Sequence, residues 1–442
     1  MATGGTFQSQ NKVRPGAYIN FIGTPKSLSS VGTRGILAAP LSLSWGDEVV
    51  ELTPNDLITG ASLEKAGVLY TDDEALNLQL ALQACSKAII YRLNANTATA
   101  ATKTVEGLKV TAKYGGSFGN KISFTIEEKD NFFTVKTYAN NVLKDSQRVA
   151  KREDLTENSL VKFETATGTF GEIKTMTPLE GGADGEEVTD ISEALKKFES
   201  YDFNILAITQ TENTTKAQAV QWVESLRDDK GIKVQVVLCE YTGDTEAAIV
   251  TKQGYKLEDG TEISREQAVL TVASMEAGAT LTESLTGSVI SGAIAVADSP
   301  KTHEEIVDAL NNGFLVFSRR GDGAIVIEKD QNSLHTFTPT KGYIFSKNRP
   351  LRVLDQIGND VKSLFNKSYL GKVSNDENGR NVYKNDLANY FKTLENMGAI
   401  QNFRVDDLQV LAGNDSDAVV VQLYVQPVDS MEKLYMTVNV EG

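Results

Sequence analysis

The feature that most constrains this chain is a stretch in which helical and strand patterns alternate. The predicted elements are, in order, a helix after Asp190, a strand at 203–208, a helix at 215–228, a strand at 232–238 and helices at 264–277 and 303–312. Strands that alternate with helices form a parallel sheet with helices on both faces. The sequence therefore predicts a three-layer α/β middle domain over residues 184–346, which ends in a hairpin of 314–318 and 324–328.

A different pattern fills residues 97–183. Apolar and polar residues alternate with period two in short stretches at 108–114, 121–128, 132–139, 142–150 and 160–166. Short strands separated by turns are typical of a β-sandwich, so we predict an inserted β-sandwich domain that closes at a Gly-rich run. Residues 23–96 are predicted to form a small α/β segment that joins the middle domain.

Residues 347–426 combine helices and strands again. One amphipathic helix is marked by an apolar face made of Leu351, Leu354, Ile357, Val361 and Leu364. A second helix is expected at 386–397 with Asn385 as its cap, followed by strands at 403–411 and 419–425. The whole chain is thus predicted to be a multi-domain α/β plus β protein with an α+β C-terminal domain.

Both ends of the chain are predicted to be extended arms, at residues 1–22 and 427–442. Apolar and mixed residues alternate at 17–22, and the alternation at 434–440 is stricter. A strand without a partner in its own domain exposes an edge that can associate with another chain. The strand residues are Ala17, Tyr18, Ile19, Asn20, Phe21, Leu434, Tyr435, Met436, Thr437, Val438, Asn439 and Val440.

Composition excludes several classes of function. With 442 residues the chain is too long for one hydrophobic core, and its formal net charge of -15 repels phosphate backbones, so we expect no nucleic-acid partner. It has no run of about 18 uncharged apolar residues and its first residues lack the apolar core of a signal peptide, so we expect no membrane insertion. Cys85 and Cys239 lie in apolar runs and are expected to be buried rather than disulfide-bonded.

Catalytic and metal-binding patterns are sparse. The chain has two histidines, His303 and His335, and lacks zinc-type His and Cys pairs and phosphate-binding glycine loops. Residues 115–119 match G-x-S-x-G with Ser117 in the nucleophile position, but a strand follows where that motif requires a helix. We therefore predict no catalytic residue, cofactor or metal, and keep a hydrolase-like α/β enzyme as the alternative.

Basic charge is concentrated between residues 347 and 372. Six basic side chains stand there against two acids, Asp355 and Asp360, a local charge of +4 in an acidic chain. Such a region favours an acidic partner surface, although a solvated helix face explains it equally well. The six residues are Lys347, Arg349, Arg352, Lys362, Lys367 and Lys372.

Three stretches resemble the contractile tail sheath proteins of phages, in the branch found in Gram-positive bacteria and their defective prophages. They are residues 10–18 (QNKVRPGAY), 112–120 (AKYGGSFGN) and 347–355 (KNRPLRVLD), with 371–373 (GKV) and 398–400 (GAI) behind the last. Where the family usually has Tyr-Pro-Gly and Trp, this chain has Tyr114-Gly115-Gly116 and Phe118. The resemblance spans nearly the whole chain.

The resemblance implies a structural subunit of a phage tail or tail-like bacteriocin. Such a subunit polymerises in stacked, hexameric rings around a tail tube and contracts from a metastable extended state to drive the tube through a cell envelope. The implied partners are further copies of the chain, the tube protein, and baseplate and tail terminator proteins. In the family the terminal arms add strands to sheets of neighbouring subunits, so we place those strands at 17–22 and 434–440.

The resemblance also orders the domains, with the C-terminal region innermost, the α/β domain in the middle and the β-sandwich outside. We further predict that the six basic residues face the tube through weak contacts that release on contraction. The particle is expected to be made and assembled in the bacterial cytoplasm. A β-rich surface adhesin, suggested by the Thr-rich residues 97–180, remains the other alternative.

Overall fold

A computed structural model describes residues 31–441 and, before them, the backbone of two short strands, Gly4–Gly5 and Ala17–Tyr18. These strands pair in parallel, with Gly4 opposite Ala17 and Gly5 opposite Tyr18. The predicted strand residues Ile19, Asn20 and Phe21 lie outside the described residues. The chain divides into two compact units, and the division falls within one long helix, after Asn359.

The larger unit, residues 33–359 with 427–442, contains a seven-stranded sheet. Across the sheet the strands are Phe314–Leu315, Ala248–Thr251, Gln235–Cys239, Ile205–Ile208, Ile36–Leu41, Lys87–Arg92 and Val49–Leu52. Every neighbouring pair is parallel except the last, which is antiparallel. Three of these strands come from residues 36–92, so the chain before the β-sandwich contributes to the same sheet.

Helices cover both faces of this sheet, as the alternating pattern predicts. In the strand Ile205–Ile208, Ile205 and Ala207 belong to one buried core and Leu206 and Ile208 to the other. Burial on both faces explains why these strands are continuous apolar runs. The first core includes helices Leu76–Leu82 and Arg265–Gly278, and the second includes Ser192–Phe198 and Asn213–Asp228.

Smaller elements complete the α/β region. Short helices lie at Pro54–Thr59, Ser62–Ala66 and His303–Asn311, and 3₁₀ turns at Asp73–Ala75 and Tyr343–Ser346. A three-stranded sheet has the order Glu262–Ile263, Tyr255–Leu257, Ala293–Val296. The predicted hairpin of 314–318 and 324–328 is divided: Phe314–Leu315 joins the central sheet, and only Phe317–Arg319 pairs with Ile325–Ile327.

The β-sandwich consists of two antiparallel sheets around one core. The four-stranded sheet has the order Val142–Val149, Phe132–Ala139, Ile122–Lys129, Ile173–Pro178. The three-stranded sheet has the order Val161–Thr165, Leu108–Ala112, Thr102–Val105. Further 3₁₀ turns lie at Ser117–Lys121 and Arg152–Asp154. All five predicted strand segments form strands, which confirms the predicted β-sandwich.

The smaller unit comprises residues 360–426 and the described residues up to Gly32. It contains the last residues of the helix Asn348–Leu364, followed by a π-helical turn, a long helix, a 3₁₀ turn and short strands. These are Phe365–Tyr369, Glu377–Asn396, Val405–Asp407, Ile400–Gln401, Gln409–Ala412 and Val419–Gln422, with Gln426–Pro427 at the boundary. No helix in residues 31–441 is long and apolar enough to cross a membrane.

The long helix Glu377–Asn396 begins well before the predicted start at 386. Its cap is Asp376, whose carboxylate accepts from the Gly379 N–H at 2.7 Å, and not Asn385. Glycine inside a helix lowers helix stability relative to alanine and so weakens a helical pattern. Here a Cβ at position 379 would lie 2.0 Å from the Ser374 carbonyl oxygen, so the close approach of the preceding loop requires glycine.

Candidate functional site

A cluster of buried polar side chains lies at the start of the helix Asn348–Leu364. Arg352 donates from Nη2 to Oε2 of Glu276 at 2.7 Å. Asn348 donates from Nδ2 to Oε1 of Glu276 at 2.9 Å and to Oδ1 of Asp330 at 2.8 Å. All four side chains are buried, and Arg352 also donates to the carbonyls of Thr280 and Glu283. Every charged group in this cluster is therefore hydrogen-bonded, which is the condition for burying it.

Two carboxyl groups share one guanidinium in this cluster. Burial raises the pKa of Glu276 to about 8, Asp330 acts in the same direction, and Arg352 opposes them. A Glu276 that keeps its proton at neutral pH reduces the negative charge buried beside Arg352. The same helix contributes a second buried pair, in which Asp355 accepts from Arg227 at 2.7 and 2.8 Å in a bidentate arrangement.

Lys347, just before this helix, binds residues close to the end of the chain. Its ammonium lies 2.5 Å from Oε2 of Glu432 and 3.3 Å from Oδ2 of Asp429. Oε1 of Glu432 accepts from the Thr286 hydroxyl at 2.8 Å and from the Ser430 hydroxyl at 3.2 Å. Burial by itself lowers the pKa of Lys347, but Glu432 and Asp429 outweigh it and raise that pKa.

Beyond Glu432 the chain leaves these contacts. Residues 433–441 form neither helix nor strand, and their large apolar side chains are exposed. Leu434 is 85% exposed, Tyr435 87% and Val440 87%, and Met436 and Val438 are exposed as well. The predicted strand 434–440 is therefore absent from the described chain. A β-strand exists only with a hydrogen-bonded partner, and in residues 31–441 none pairs with this segment.

The smaller unit contains a sheet with free edges. Strands Gln409–Ala412 and Val419–Gln422 pair in an antiparallel hairpin, and within the described residues neither joins a third strand. Leu411 is 46% exposed and Val420 42%. We call these two strands the open hairpin. Unpaired N–H and C=O groups on such edges can accept a further strand.

Two of the six basic residues predicted to face a tube are buried in ion pairs in the single subunit. Lys347 pairs with Glu432 and Asp429, and Arg352 with Glu276. Their acidic partners are distant in the sequence, so the count of charges within residues 347–372 could not predict these ion pairs. Arg349 is half-buried. The other three, Lys362, Lys367 and Lys372, are exposed.

The residues that complete these clusters were not predicted from the sequence: Glu276, Thr286, Asp330, Asp429 and Glu432. One signal for Glu276 was present. It is the one ionisable residue in an otherwise apolar and small-residue run at 268–279, within a helix that is buried nearly all round. A charged residue in such a run requires a buried partner.

The G-x-S-x-G motif joins the β-sandwich to the α/β region instead of forming a catalytic site. Ser117 donates from its N–H and from its hydroxyl to the carboxylate of Asp184, at 2.8 Å each. Gly116 has φ 138°, and a Cβ there would lie 1.9 Å from the Ser44 carbonyl oxygen. Phe118 packs edge-on against Trp45 with ring centroids 5.3 Å apart. The glycines are needed for this close approach of backbones.

The described residues contain no group of three or more His, Cys, Asp or Glu side chains arranged to hold a metal ion. Cys85 and Cys239 are both buried and unpaired, and burial raises the pKa of each thiol. In the described residues, the fold is that of a multi-domain α/β and β protein in which buried polar groups connect separate elements and an apolar strand-like sequence is exposed at 434–440.

Sequence and structure comparisons agree on the family. Profiles described as the phage tail sheath beta-sandwich, central and C-terminal domains match residues 94–184, 184–333 and 340–441. The Bacillus subtilis phage-like element PBSX protein XkdK is 35% identical, with 99% of each chain covered. The chain belongs to the phage tail sheath protein family and is a structural sheath protein of contractile particles, not an enzyme.

Solved structures show the same fold. The sheath tail protein of Desulfitobacterium hafniense is 38% identical, with a TM-score of 0.80 and 96% of this chain and 100% of that chain covered. The sheath tail protein Lin1278 of Listeria innocua is 31% identical, with a TM-score of 0.83 and coverage of 93% and 97%. The helical sheath of the anti-feeding prophage in its contracted state shares the fold at 10% identity and a TM-score of 0.59, with coverage of 98% and 100%.

Proposed function

We propose that this chain polymerises helically around a tail tube and contracts from a metastable extended arrangement to drive the tube through a target cell envelope. The subunits form stacked hexameric rings that connect to a baseplate and a terminator, and the polymer assembles in the bacterial cytoplasm. Contraction is a rigid-body change between two packings of folded subunits and needs no nucleotide. The contracted sheath and baseplate structures that share this fold support the proposal.

One observation carries the proposal: the segment 434–440 has exposed apolar side chains and no strand partner in the described chain. In a β-strand, alternate residues face opposite sides, so Leu434, Met436 and Val438 would share one face. Added to a sheet of a neighbouring copy, the segment would bury that face and satisfy its backbone groups. The open hairpin is the acceptor we propose, because within residues 31–441 its edges are unpaired and because it exposes apolar side chains such as Leu411 and Val420.

The N-terminal strand 17–22 is proposed as a second exchanged element, supported by the family resemblance of residues 10–18. The domain division 97–183, 184–346 and 347–426 is proposed as the outer, middle and inner layers. The inner layer then places Lys362, Lys367 and Lys372 toward the tube. Exposed lysines make weak, salt-screened contacts, which suits a surface that must release on contraction.

Electron microscopy of the purified protein tests the proposal. The intact chain is expected to form hollow cylinders at high concentration, and a variant that ends at Glu432 is expected to remain monomeric. Circular dichroism of both chains controls for folding, because residues 433–441 contribute no helix or strand to the single subunit. Cylinders of normal length from the shortened chain would exclude strand exchange by this segment.

A further inference from the structure

We propose that Lys347 is a positioning residue that sets where the C-terminal segment leaves the subunit, by clamping Asp429 and Glu432. We call Lys347, Asp429, Glu432 and Thr286 the root clamp. The segment beyond Glu432 is free to reach another copy, and the segment before it is held. The consequence of the clamp for assembly rests on the proposed strand exchange, whereas the clamp itself is a property of the single subunit.

Within the described residues, the side-chain hydrogen bonds and ion pairs of the C-terminal segment end at Glu432. Pro427 is buried and the side chain of Glu432 is 12% exposed; Asp429 and Met431 lie at the surface, and the described residues from Lys433 onward are all exposed. Three donors converge on the Glu432 carboxylate, from Lys347, Thr286 and Ser430. Such a boundary, with charged contacts on one side and an unpaired apolar strand sequence on the other, defines a departure point.

Burial distinguishes the root clamp from an ordinary surface ion pair. The side chain of Lys347 is 3% exposed, and its two carboxylate partners both come from the C-terminal segment. Exposed ion pairs contribute little because water solvates each partner when the pair opens. A buried ammonium loses that compensation, so release of the C-terminal segment, which removes both Glu432 and Asp429, leaves an unpaired charge in the interior. The segment is therefore held more firmly than a surface contact would hold it.

The root clamp is also connected to the interior of the α/β region. The Thr286 hydroxyl donates to Glu432 and accepts from the Asp330 N–H at 2.9 Å. The Asp330 carboxylate in turn accepts from Asn348, next to Lys347 in the sequence. A pull on residues 433–441 therefore acts on buried groups of the α/β region as well as along the covalent chain toward the open hairpin.

Two other concave sites in the molecule do not support a binding proposal. A cavity of about 450 Å³ in the smaller unit is lined by Phe365, Tyr369, Tyr383 and Arg380, and a groove lies beside Ile294 and Phe317. Nothing in the structure identifies an occupant for either. The root clamp differs from these two sites because both interacting groups, the Lys347 ammonium and the carboxylates of Asp429 and Glu432, are present in the structure.

Hydrogen exchange of the monomeric protein tests the clamp directly. In Lys347→Met, amide exchange of Ser430 and Asp330, whose N–H groups donate to Asp429 and Thr286 of the root clamp, is expected to accelerate at least about tenfold, with exchange in the central sheet unchanged. Lys433→Met is the matched control, because the same substitution one residue beyond Glu432 removes an exposed lysine and should leave exchange unchanged. If Lys347→Met does not fold, Glu432→Gln removes the opposite charge and should accelerate the same amides. Unchanged exchange in a folded variant of either kind would overturn the clamp.

Microscopy of the same variants separates this inference from the proposed function. Cylinders formed by Lys347→Met are expected to be at least about tenfold fewer, or irregular in diameter, because residues 429–432 are no longer held in place and the segment after them leaves the subunit at a variable position. Regular cylinders at the normal yield would overturn the positioning role. If the chain that ends at Glu432 assembles normally, the strand-exchange proposal is wrong, while the exchange of the Ser430 and Asp330 amides still decides whether the clamp exists.

Discussion

Arg352 donates from Nη2 to Oε2 of Glu276 across 2.7 Å, and both side chains are almost completely buried. This pair ties the start of the helix Asn348–Leu364 to the helix Arg265–Gly278 beneath the central sheet. The surrounding donors and acceptors are satisfied by Asn348 and by main-chain carbonyls. A buried pair of this kind makes each partner strongly dependent on the other.

Replacement of Arg352 is expected to destabilise the larger unit. Arg352→Met leaves Glu276 and Asp330 buried without their cation, which costs about 3–5 kcal/mol. Chemical denaturation followed by tryptophan fluorescence measures this, because Trp45 and Trp222 both lie in the larger unit. Lys372→Met, a change in an exposed residue, should stay within about 0.5 kcal/mol of the parent. A loss below about 1 kcal/mol in Arg352→Met would contradict this account of the cluster.

The stability of the larger unit should depend on the protonation of Glu276. Burial and Asp330 raise its pKa in the folded chain from 4.5 to about 8. Between these values the folded chain holds a proton that the unfolded chain has released. The stabilisation is therefore complete below pH 4.5 and is lost as the pH rises through about 8.

Glu276→Gln isolates this effect because it cannot titrate. One proton contributes a slope of at most about 1.4 kcal/mol per pH unit. The difference in the free energy of unfolding between parent and variant should therefore change steadily between pH 5 and pH 8, with the parent losing stability relative to the variant. Denaturation curves across that range provide the measurement. A difference that is constant with pH would show that Glu276 has its ordinary pKa.

The junction of the β-sandwich should not tolerate a side chain at position 116. Gly116→Ala combines a φ of 138° with a Cβ 1.9 Å from the Ser44 carbonyl oxygen. We expect a loss of about 3 kcal/mol or more and a shift in the fluorescence of Trp45, which packs against Phe118. Gly321→Ala is the matched control, because nothing lies within 4 Å of a Cβ there. Equal stability of the two variants would contradict the close approach.

The two faces of the C-terminal segment should differ in their effect on assembly. In an exchanged strand Val438 lies on the apolar face and Asn439 on the opposite one. Val438→Asp is expected to reduce cylinder formation at least about tenfold, whereas Asn439→Asp has a small effect. Both residues are exposed in the single subunit, so the melting temperature of the monomer should not change. Sedimentation and electron microscopy give the comparison, and equal effects on assembly would argue against an added strand.

Local patterns in the sequence determined much of the fold. Alternation of helix and strand predicted the central sheet, since continuous apolar runs such as 205–208 occur where a strand is buried on both faces. Period-two alternation predicted the β-sandwich because successive side chains of a strand point to opposite faces, and only one face of each sheet packs on the core. The start of the helix Glu377–Asn396 was misplaced: Gly379 interrupts the helical pattern, but in the fold it lies in the first turn and accommodates the carbonyl of Ser374 in the preceding loop.

Only the tertiary structure decided the roles of the charged residues. In the sequence Lys347 and Arg352 belong to a basic run, which suggested a surface; in the fold they are buried against Glu432 and Glu276. Hydrogen bonds and ion pairs act over about 3 Å in space, and the residues that meet there are distant along the chain. The segment 434–440 has the sequence of a strand, but a strand also needs a partner backbone, and that is a property of the assembled structure rather than of the segment.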